Sequence, residues 1–308
     1  MNVAAENLRA GAARGLRLRK LRDRIVEAFL LLAGLVAVFT TLAIVAVLVY
    51  ESLPFFEHVS LVDFLTDTMW TPLFAEARYG ILPLVAGTLV TTLVALAVAI
   101  PAGTVIAIYL SEFAPFRMRE VIKPALELLG AVPTVVYGYF ALLVVTPVLQ
   151  KLIPDLPGFN MLAAGLVIGI MIIPYVASVS EDAMRVVPNY MREGSYAMGA
   201  TRFQTATRVV VPGALSGIAA AYILGISRAV GETMVVAVAA GLQPNLTWDP
   251  TEPAATITAF IVQVSLGDLP HDSIGYQSIF AAGLVLMLMT LVFNIAGFSL
   301  TRRFRQAY

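Results

Sequence analysis

Two charged residues, Arg228 and Glu232, lie inside a long apolar segment and are the only charges in the interior of any predicted membrane span. Their spacing of four residues predicts that they share one face of a helix, where opposite charges attract. An arginine at the bilayer centre costs about 2.5–3.5 kcal/mol on insertion scales, so its side chain should face the protein interior. A guanidinium offers forked donors that fit phosphate or carboxylate oxygens. The pair therefore predicts either an oxyanion site on a transport path or an ion pair that only holds helices together.

Hydroxyl groups extend the predicted path. Thr233 follows Glu232, and Thr88 lies in an earlier apolar segment beside Thr91 and Thr92. These hydroxyls could be offered to a passing anion. Buried threonines more often donate to a carbonyl of their own helix, so that second interpretation stays open.

Residues for catalysis or metal binding are scarce. The chain has no cysteine, which excludes disulfides and thiolate metal sites, and its two histidines, His58 and His271, lie far apart in polar loops. No catalytic residue and no metal ligand is predicted. With 20 basic and 20 acidic residues the chain has no net charge, so nucleic-acid binding loses its main electrostatic support.

A polar stretch at residues 179–212, here named the elbow segment, has signals for two short helices. Pro188 and Asn189 predict an N-terminus with the helix beginning at Tyr190, and Gly199 can end that helix in a left-handed conformation. Thr201 and Gln204 have capping-box spacing, which predicts a second helix running to Pro212. The segment is interpreted either as a stiff elbow that transmits force from a partner or as an amphipathic interfacial loop.

The elements that must position these residues are membrane helices. Hydrophobic residues make up 59% of the 308 residues, charged residues only 13%, and the mean hydropathy is +0.85. Such a chain lacks the polar surface of a soluble domain, so it is predicted to be a polytopic membrane protein of the all-α class. Six apolar stretches are long enough to span a bilayer. They lie at about 25–50, 80–110, 124–149, 161–179, 213–242 and 278–300.

The basic residues predict the orientation. Seventeen of the 20 Lys and Arg residues lie in the flanks 1–24, 111–123, 179–212 and 301–308, against two in the loops 51–79, 150–160 and 243–277. The positive-inside rule then places both termini in the cytoplasm. The predicted organisation is a basic cytoplasmic N-terminal segment, a six-helix transmembrane domain and a cytoplasmic tail, at 1–24, 25–300 and 301–308.

The elbow segment resembles the EAA loop of bacterial ATP-binding-cassette importer permeases. Glu193, Gly199 and the run ending at Pro212 match the spacing of that motif, with Gly194 and Ser195 in place of its two alanines. In that family a short helix of this loop docks on the ATPase subunit. The resemblance therefore implies an ATPase-coupling role for these residues: Tyr190, Glu193, Ala197, Gly199, Ala200, Thr201 and Pro212.

Three further segments narrow the resemblance. The run RAVGETM at 228–234 resembles a segment of phosphate-importer permeases, and SEDAMRVVP at 180–188 and VPTVVYGYFAL at 132–142 resemble segments of their C-type subunit, PstC. The likeness covers about residues 20–305. It implies the type I importer permease fold, with Arg228, Glu232, Thr233 and Thr88 on the substrate path.

The resemblance also implies partners in a bacterial cell membrane. These are a second, PstA-like permease subunit, two copies of a PstB-like ATP-binding subunit, a PstS-like phosphate-binding protein outside, membrane lipid and inorganic phosphate. The chain has no G-x-x-x-x-G-K-[ST] loop, so ATP and Mg²⁺ are expected on the partner ATPase rather than on this transport subunit. Two alternatives remain, a permease for another oxyanion and an ion-coupled secondary anion carrier.

Overall fold

The computed structural model describes residues 2–74, 76–270 and 273–303, so His271 and residues 304–308 of the predicted tail lie outside it. Within those ranges the chain is helical and has no β-strand, apart from an isolated antiparallel bridge between Trp70 and Tyr79. The predicted all-α fold is confirmed. The helices are α1 (Asn2–His58), α2 (Leu61–Thr66), α3 (Leu82–Ile108), α4 (Phe116–Ala131), α5 (Thr134–Phe140), α6 (Thr146–Gln150), α7 (Met161–Val186), α8 (Asn189–Ala197), α9 (Arg202–Thr205), α10 (Val211–Gly213), α11 (Leu215–Val230), α12 (Met234–Ala239), α13 (Ile257–Gln263) and α14 (Ile274–Arg303).

Short π-helical turns join several of these helices. They occupy Tyr109–Phe113, Ala141–Val145, Ala206–Val210 and Val264–Asp268. Each continues or links an α-helix with a locally wider winding, a feature often found where a helix is adapted to a function.

The chain divides into two compact units, Met1–Glu51 and Ser52–Tyr308. From Asn2 onward the first unit is a single stretch of helix, and most of its apolar side chains between residues 25 and 50 are exposed, with Phe29 and Phe39 at 69% and 67%. An apolar helical surface of this kind suits contact with lipid chains. The first predicted span lies wholly inside it.

Four helical stretches in the described ranges are long and apolar enough to cross a membrane: Arg22–His58, Leu82–Phe113, Met161–Val186 and Ile274–Ser299. Two further pairs, Phe116–Ala131 with Thr134–Gln150 and Arg202–Gly213 with Leu215–Val230, bend by 89° and 72°. Counting each bent pair as one span gives the six that were predicted.

The third and fifth apolar stretches are not continuous helices in the structure. The third breaks at Val132 and Pro133, which are extended, because a proline disfavours helical geometry at the residue before it. The predicted fifth span at 213–242 contains α11 and α12, which are separated by the irregular residues 231–233. This second break decides the geometry of the candidate site.

Helices α3 and α7 form the centre of the larger unit through close backbone contact. A Cβ on Gly165 would lie 2.7 Å from Val94, and one on Gly169 would lie 2.7 Å from the carbonyl oxygen of Ala95. These two glycines are four apart, the small-residue spacing that lets membrane helices approach closely. The contact fixes α7 as the support against which α11 packs.

Gly169→Val is expected to prevent stable folding. The nearest obstacle to the new side chain is backbone, which cannot rotate away, so the cost should be at least about 3 kcal/mol, the upper range for overpacking. Thermal unfolding of detergent-purified protein measures it. Gly34→Val is the matched control, because Gly34 also lies in a helix and a Cβ added there would have no atom within 4 Å. Equal melting temperatures for the two variants would contradict the close packing.

Within the larger unit, the predicted flanks group at two ends. At one end, Lys123 of α4 contacts Glu181 of α7, and Arg192 of α8 contacts Glu112. At the other, Asn160 and Leu162 hydrogen bond to Ala239 and Pro250. The basic flanks 111–123 and 179–212 therefore share one end, and the loops 150–160 and 243–277 meet at the opposite end.

Candidate functional site

Arg228 lies two residues before the end of α11 and is half-buried. Its guanidinium carbon sits 4.8 Å from the centre of the Tyr175 ring on α7, a cation–π arrangement. Its Nη2 has a weak contact with the Met171 sulfur at 4.0 Å, and its buried Nε has no hydrogen-bond partner. In the described part of the chain no carboxylate forms an ion pair with Arg228. The guanidinium therefore keeps hydrogen-bond donors that the protein does not satisfy.

The predicted ion pair between Arg228 and Glu232 is wrong. Helix α11 ends at Val230 with Gly231 as its cap, so residues four apart in sequence are not on one helical face. The Glu232 carboxylate, 6% exposed, instead accepts a long hydrogen bond of 3.4 Å from the backbone N–H of Val235, near the start of α12. Breaking the helix thus separates the roles of the two charges.

The break at residues 231–233 is held from a neighbouring helix. The hydroxyl of Thr258 on α13 donates to the Glu232 carbonyl at 2.7 Å. The Thr233 hydroxyl donates to the Gly231 carbonyl at 3.3 Å, so it is used inside the break. Such interrupted backbone is tolerated in membranes where the freed groups find partners in the protein.

Thr88 is buried in α3 and contacts α13 one residue before Thr258. Its hydroxyl donates to the Leu84 carbonyl at 2.8 Å and accepts from the Ile257 N–H at 3.2 Å, at the first turn of α13. Thr91 likewise donates to its own helix, while the buried hydroxyl of Thr92 has no partner among the described residues. The helix-bonding interpretation of Thr88 therefore describes its contacts, and the structure gives it a second use in capping α13.

Tyr175 also lines a cavity of about 360 Å³. Its walls come from α4 and α7 and include Glu127, Gly130 and Ser178. The same Tyr175 ring contacts the guanidinium of Arg228 and reaches within 3.7 Å of the Cβ position of Gly130. The aromatic ring is therefore the contact between the buried arginine and the kinked α4–α5 pair.

The elbow segment has the predicted helix–glycine–helix form. Helix α8 begins at Asn189, one residue earlier than predicted, with the extended Pro188 rather than Asn189 as its cap. Gly199 has φ +82, and Thr201 and Gln204 form the predicted capping box. The second helix continues through a π turn to Pro212 and Gly213 before the bend into α11.

The two short helices of the elbow segment are tied together. The hydroxyls of Ser195 and Thr205 lie 2.9 Å apart, and Thr205 is fully buried. On the opposite side the segment is open, with Tyr190, Met198 and Phe203 exposed by 65%, 89% and 67%. Also exposed are Glu193, Ala197, Gly199 and Pro212, whereas Ala200 is half-buried. The segment therefore presents an apolar surface on a stiff frame.

Two groups of charges were missed by the sequence reasoning, which held Arg228 and Glu232 to be the only charges inside spans. Glu181 is fully buried in α7, with Lys123 at 2.8 Å, Arg119 at 3.4 Å and Arg185 at 3.7 Å. Glu112 and Arg192 form a second, nearly buried pair. Both carboxylates lie where helices reach past the predicted limits of their spans, and the excess of nearby Lys and Arg was the available signal.

Glu181→Gln is expected to destabilise the protein by about 1.5–3 kcal/mol, the cost of a charge-assisted hydrogen bond. The amide leaves Arg119, Lys123 and Arg185 facing a buried neutral group. Because these three cations are partly exposed to solvent, the loss of stability is limited. Thermal unfolding in detergent measures the effect. Asp182→Asn is the control, because Asp182 contacts the same Lys123 but its side chain is 62% exposed. A Glu181 variant as stable as the control would show that the cluster contributes little.

The site offers a cationic hydrogen-bond donor. In the described ranges no three His, Cys, Asp or Glu residues are placed to hold a metal ion. What the geometry offers is one unpaired guanidinium beside a break in a membrane helix, and an elbow connected to that helix through α10.

A family model described as "Binding-protein-dependent transport system inner membrane component" matches residues 99–307. The chain belongs to this family. The match begins inside α3 and takes in the elbow segment, the broken helix with Arg228, and α14. These inner membrane components are the polytopic permeases of ATP-binding-cassette transporters, and the type I permease fold predicted from the sequence is confirmed.

Characterised relatives and solved structures agree with this family. The chain is 37% identical to the probable ABC transporter permease protein YqgH of Bacillus subtilis over 76% of each chain. It is 34% identical to the phosphate transport system permease protein PstC of Mesorhizobium japonicum over 78% of each chain. In fold it resembles a subunit of a bacterial alginate importer, with a TM-score of 0.64 and 17% identity over 93% of this chain and all of the other.

Proposed function

We propose that this chain is a membrane permease subunit of an ATP-driven importer of inorganic phosphate. The observation that carries the proposal is its similarity to permeases named for phosphate transport, at 34% identity over about three quarters of the chain or more in relatives such as those of Mesorhizobium japonicum and Mycobacterium tuberculosis. The unpaired guanidinium of Arg228 supports it, because a forked cationic donor suits the oxygens of phosphate.

In this proposal the chain acts within an assembly. A second, PstA-like permease subunit completes the translocation path, two PstB-like subunits bind ATP and Mg²⁺, and a PstS-like protein delivers phosphate. The exposed face of the elbow segment docks on the ATP-binding subunit, and its apolar side chains Tyr190, Met198 and Phe203 support that role. The chain itself catalyses no reaction.

The proposed orientation puts both termini and the elbow segment in the cytoplasm. It is supported by the grouping of the basic flanks 111–123 and 179–212 at one end of the larger unit. The opposite end then faces the phosphate-binding protein. There the Thr251 hydroxyl and N–H donate to Asp249, which lowers the pKa of that carboxyl and keeps this loop anionic.

Transport by purified components tests the function. The chain is co-expressed with the second permease, the ATP-binding subunit and the binding protein from the same source, and the complex is placed in liposomes containing ATP. Uptake of radiolabelled phosphate that requires ATP and the binding protein is the expected result. Uptake without the ATP-binding subunit would favour a secondary carrier, and uptake of sulfate or molybdate in place of phosphate would assign another oxyanion.

A further inference from the structure

Arg192 lies on α8 but its side chain points away from the open face of the elbow segment. The side chain is 14% exposed and pairs with Glu112, whose side chain is 6% exposed. The Arg192 Nη2 lies 2.9 Å from Oε1 of Glu112, and its Nε lies 3.3 Å from both carboxylate oxygens. A forked, nearly buried pair of this kind fixes both direction and distance between its two helices.

The same guanidinium also closes the end of α7. It donates to the backbone carbonyls of Val187 and, at 2.8 Å, of Met184, which also accepts from the Val187 N–H at the end of the helix. Glu112 lies in the π turn that continues α3. One side chain on α8 therefore contacts the ends of the two helices that form the centre of the larger unit.

The residues that Arg192 contacts at the end of α7 also belong to an apolar cluster. Ala107 of α3, Met184 and Val187 at the end of α7, and Ile218 of α11 are buried together, and Met191 of α8 packs against them. Helix α8 thus has one side anchored to the transmembrane helices and one side open. A displacement imposed on the open side can reach the bundle through the polar contacts of Arg192 and through this apolar cluster, and both include residues at the ends of α3 and α7.

We propose that Arg192 is a positioning residue that carries the movement of α8 into α3 through Glu112. This inference rests on the proposed function, because it takes the ATP-binding subunit as the agent that moves α8. The two side chains join elements that are separated by 80 residues in sequence. In the described ranges no other ion pair joins these two elements, so in this proposal the pair transmits force and does not only add stability.

The first test is Arg192→Gln in the reconstituted transporter. We expect the variant to insert and to co-purify with the ATP-binding subunit, and ATP hydrolysis to stay within about twofold of wild type. The phosphate imported per ATP hydrolysed should fall at least about tenfold, at the strong end of what a residue on a coupling route contributes. Arg117→Gln and Glu120→Gln are the controls, because they remove the same charges from exposed positions of α4 without breaking an ion pair. An unchanged ratio for Arg192→Gln would overturn the inference.

A covalent tether separates transmission from folding. The chain has no cysteine, so Arg192→Cys with Glu112→Cys gives one reactive pair, which a bis-methanethiosulfonate reagent can join after the complex has assembled. The joined protein should regain at least half of the wild-type ratio, and adding reductant to the assembled complex should remove that gain. A tethered complex that stays assembled but uncoupled, or one that keeps its ratio after reduction, would contradict the proposal. Failure of wild-type protein to import phosphate would instead count against the proposed function.

Discussion

Arg228→Gln should abolish phosphate uptake while the permease still assembles with its ATP-binding subunit. Among the residues that the structure describes the guanidinium has no carboxylate partner, so its removal leaves no buried anion of that set behind. Two charge-assisted hydrogen bonds to an oxyanion are together worth about 3 kcal/mol or more. Uptake by proteoliposomes with matched subunit levels should therefore fall at least about 100-fold.

Two companion variants show whether geometry or charge matters at this position. Arg228→Lys keeps the charge but loses the fork, so we expect partial uptake, about tenfold below wild type. Arg117→Gln removes an arginine from an exposed position of α4 and should leave uptake unchanged. If Arg228→Gln transports normally, the arginine serves only as a packing partner of Tyr175 and the substrate-path assignment is wrong. Loss of assembly in Arg228→Gln would likewise assign it a structural role.

Local backbone signals in the sequence were sufficient for the elbow segment. Proline, glycine and a Thr–Gln pair act over three or four residues, so Gly199 and the capping box at Thr201 are present as predicted. The six apolar stretches were equally readable, because bilayer thickness sets their length. The resemblance to an importer permease rested on the spacing of Glu193, Gly199 and Pro212 in the elbow segment, and the structure has the helix–glycine–helix form there.

Tertiary geometry was not readable in the same way. Helical periodicity predicted that Arg228 and Glu232 would pair, but Gly231 ends α11 between them and the Thr258 hydroxyl stabilises the break from another helix. Glu112 and Arg192 are 80 residues apart, so no local pattern joins them. The partner of a buried charge depends on which helix ends meet, which hydropathy does not specify.

The same break changes what Glu232 can do. A carboxylate paired with Arg228 would have competed with phosphate for the guanidinium. Since Glu232 instead accepts from Val235 at the start of α12, the guanidinium is open to an anion without such competition. Release of phosphate in the proposed cycle then depends on movement of α11. It does not depend on the Glu232 carboxylate replacing phosphate at the guanidinium.

Gly199→Val should uncouple the transporter through the backbone alone. Gly199 has φ +82, a left-handed conformation in which a β-branched residue is a genuine outlier. Its N–H and that of Ala200 bond the carbonyls of Tyr196 and Ser195, the two hydrogen bonds of a Schellman helix end. Valine costs about 1–2 kcal/mol in this conformation, so the turn should open and change the angle between α8 and α9.

The matched variant is Gly199→Asn, because asparagine tolerates the left-handed conformation and no atom lies within 4 Å of the added Cβ. We expect uptake and binding-protein-stimulated ATP hydrolysis to fall about tenfold or more in Gly199→Val and to stay within about twofold in Gly199→Asn, since only the former strains the turn. Both are measured at equal levels of assembled complex. If asparagine is as harmful as valine, the exposed surface at Gly199 matters rather than its backbone, because the two side chains differ in conformational tolerance far more than in size. If neither variant changes transport, the left-handed turn does not set the angle through which ATP hydrolysis reaches the membrane helices.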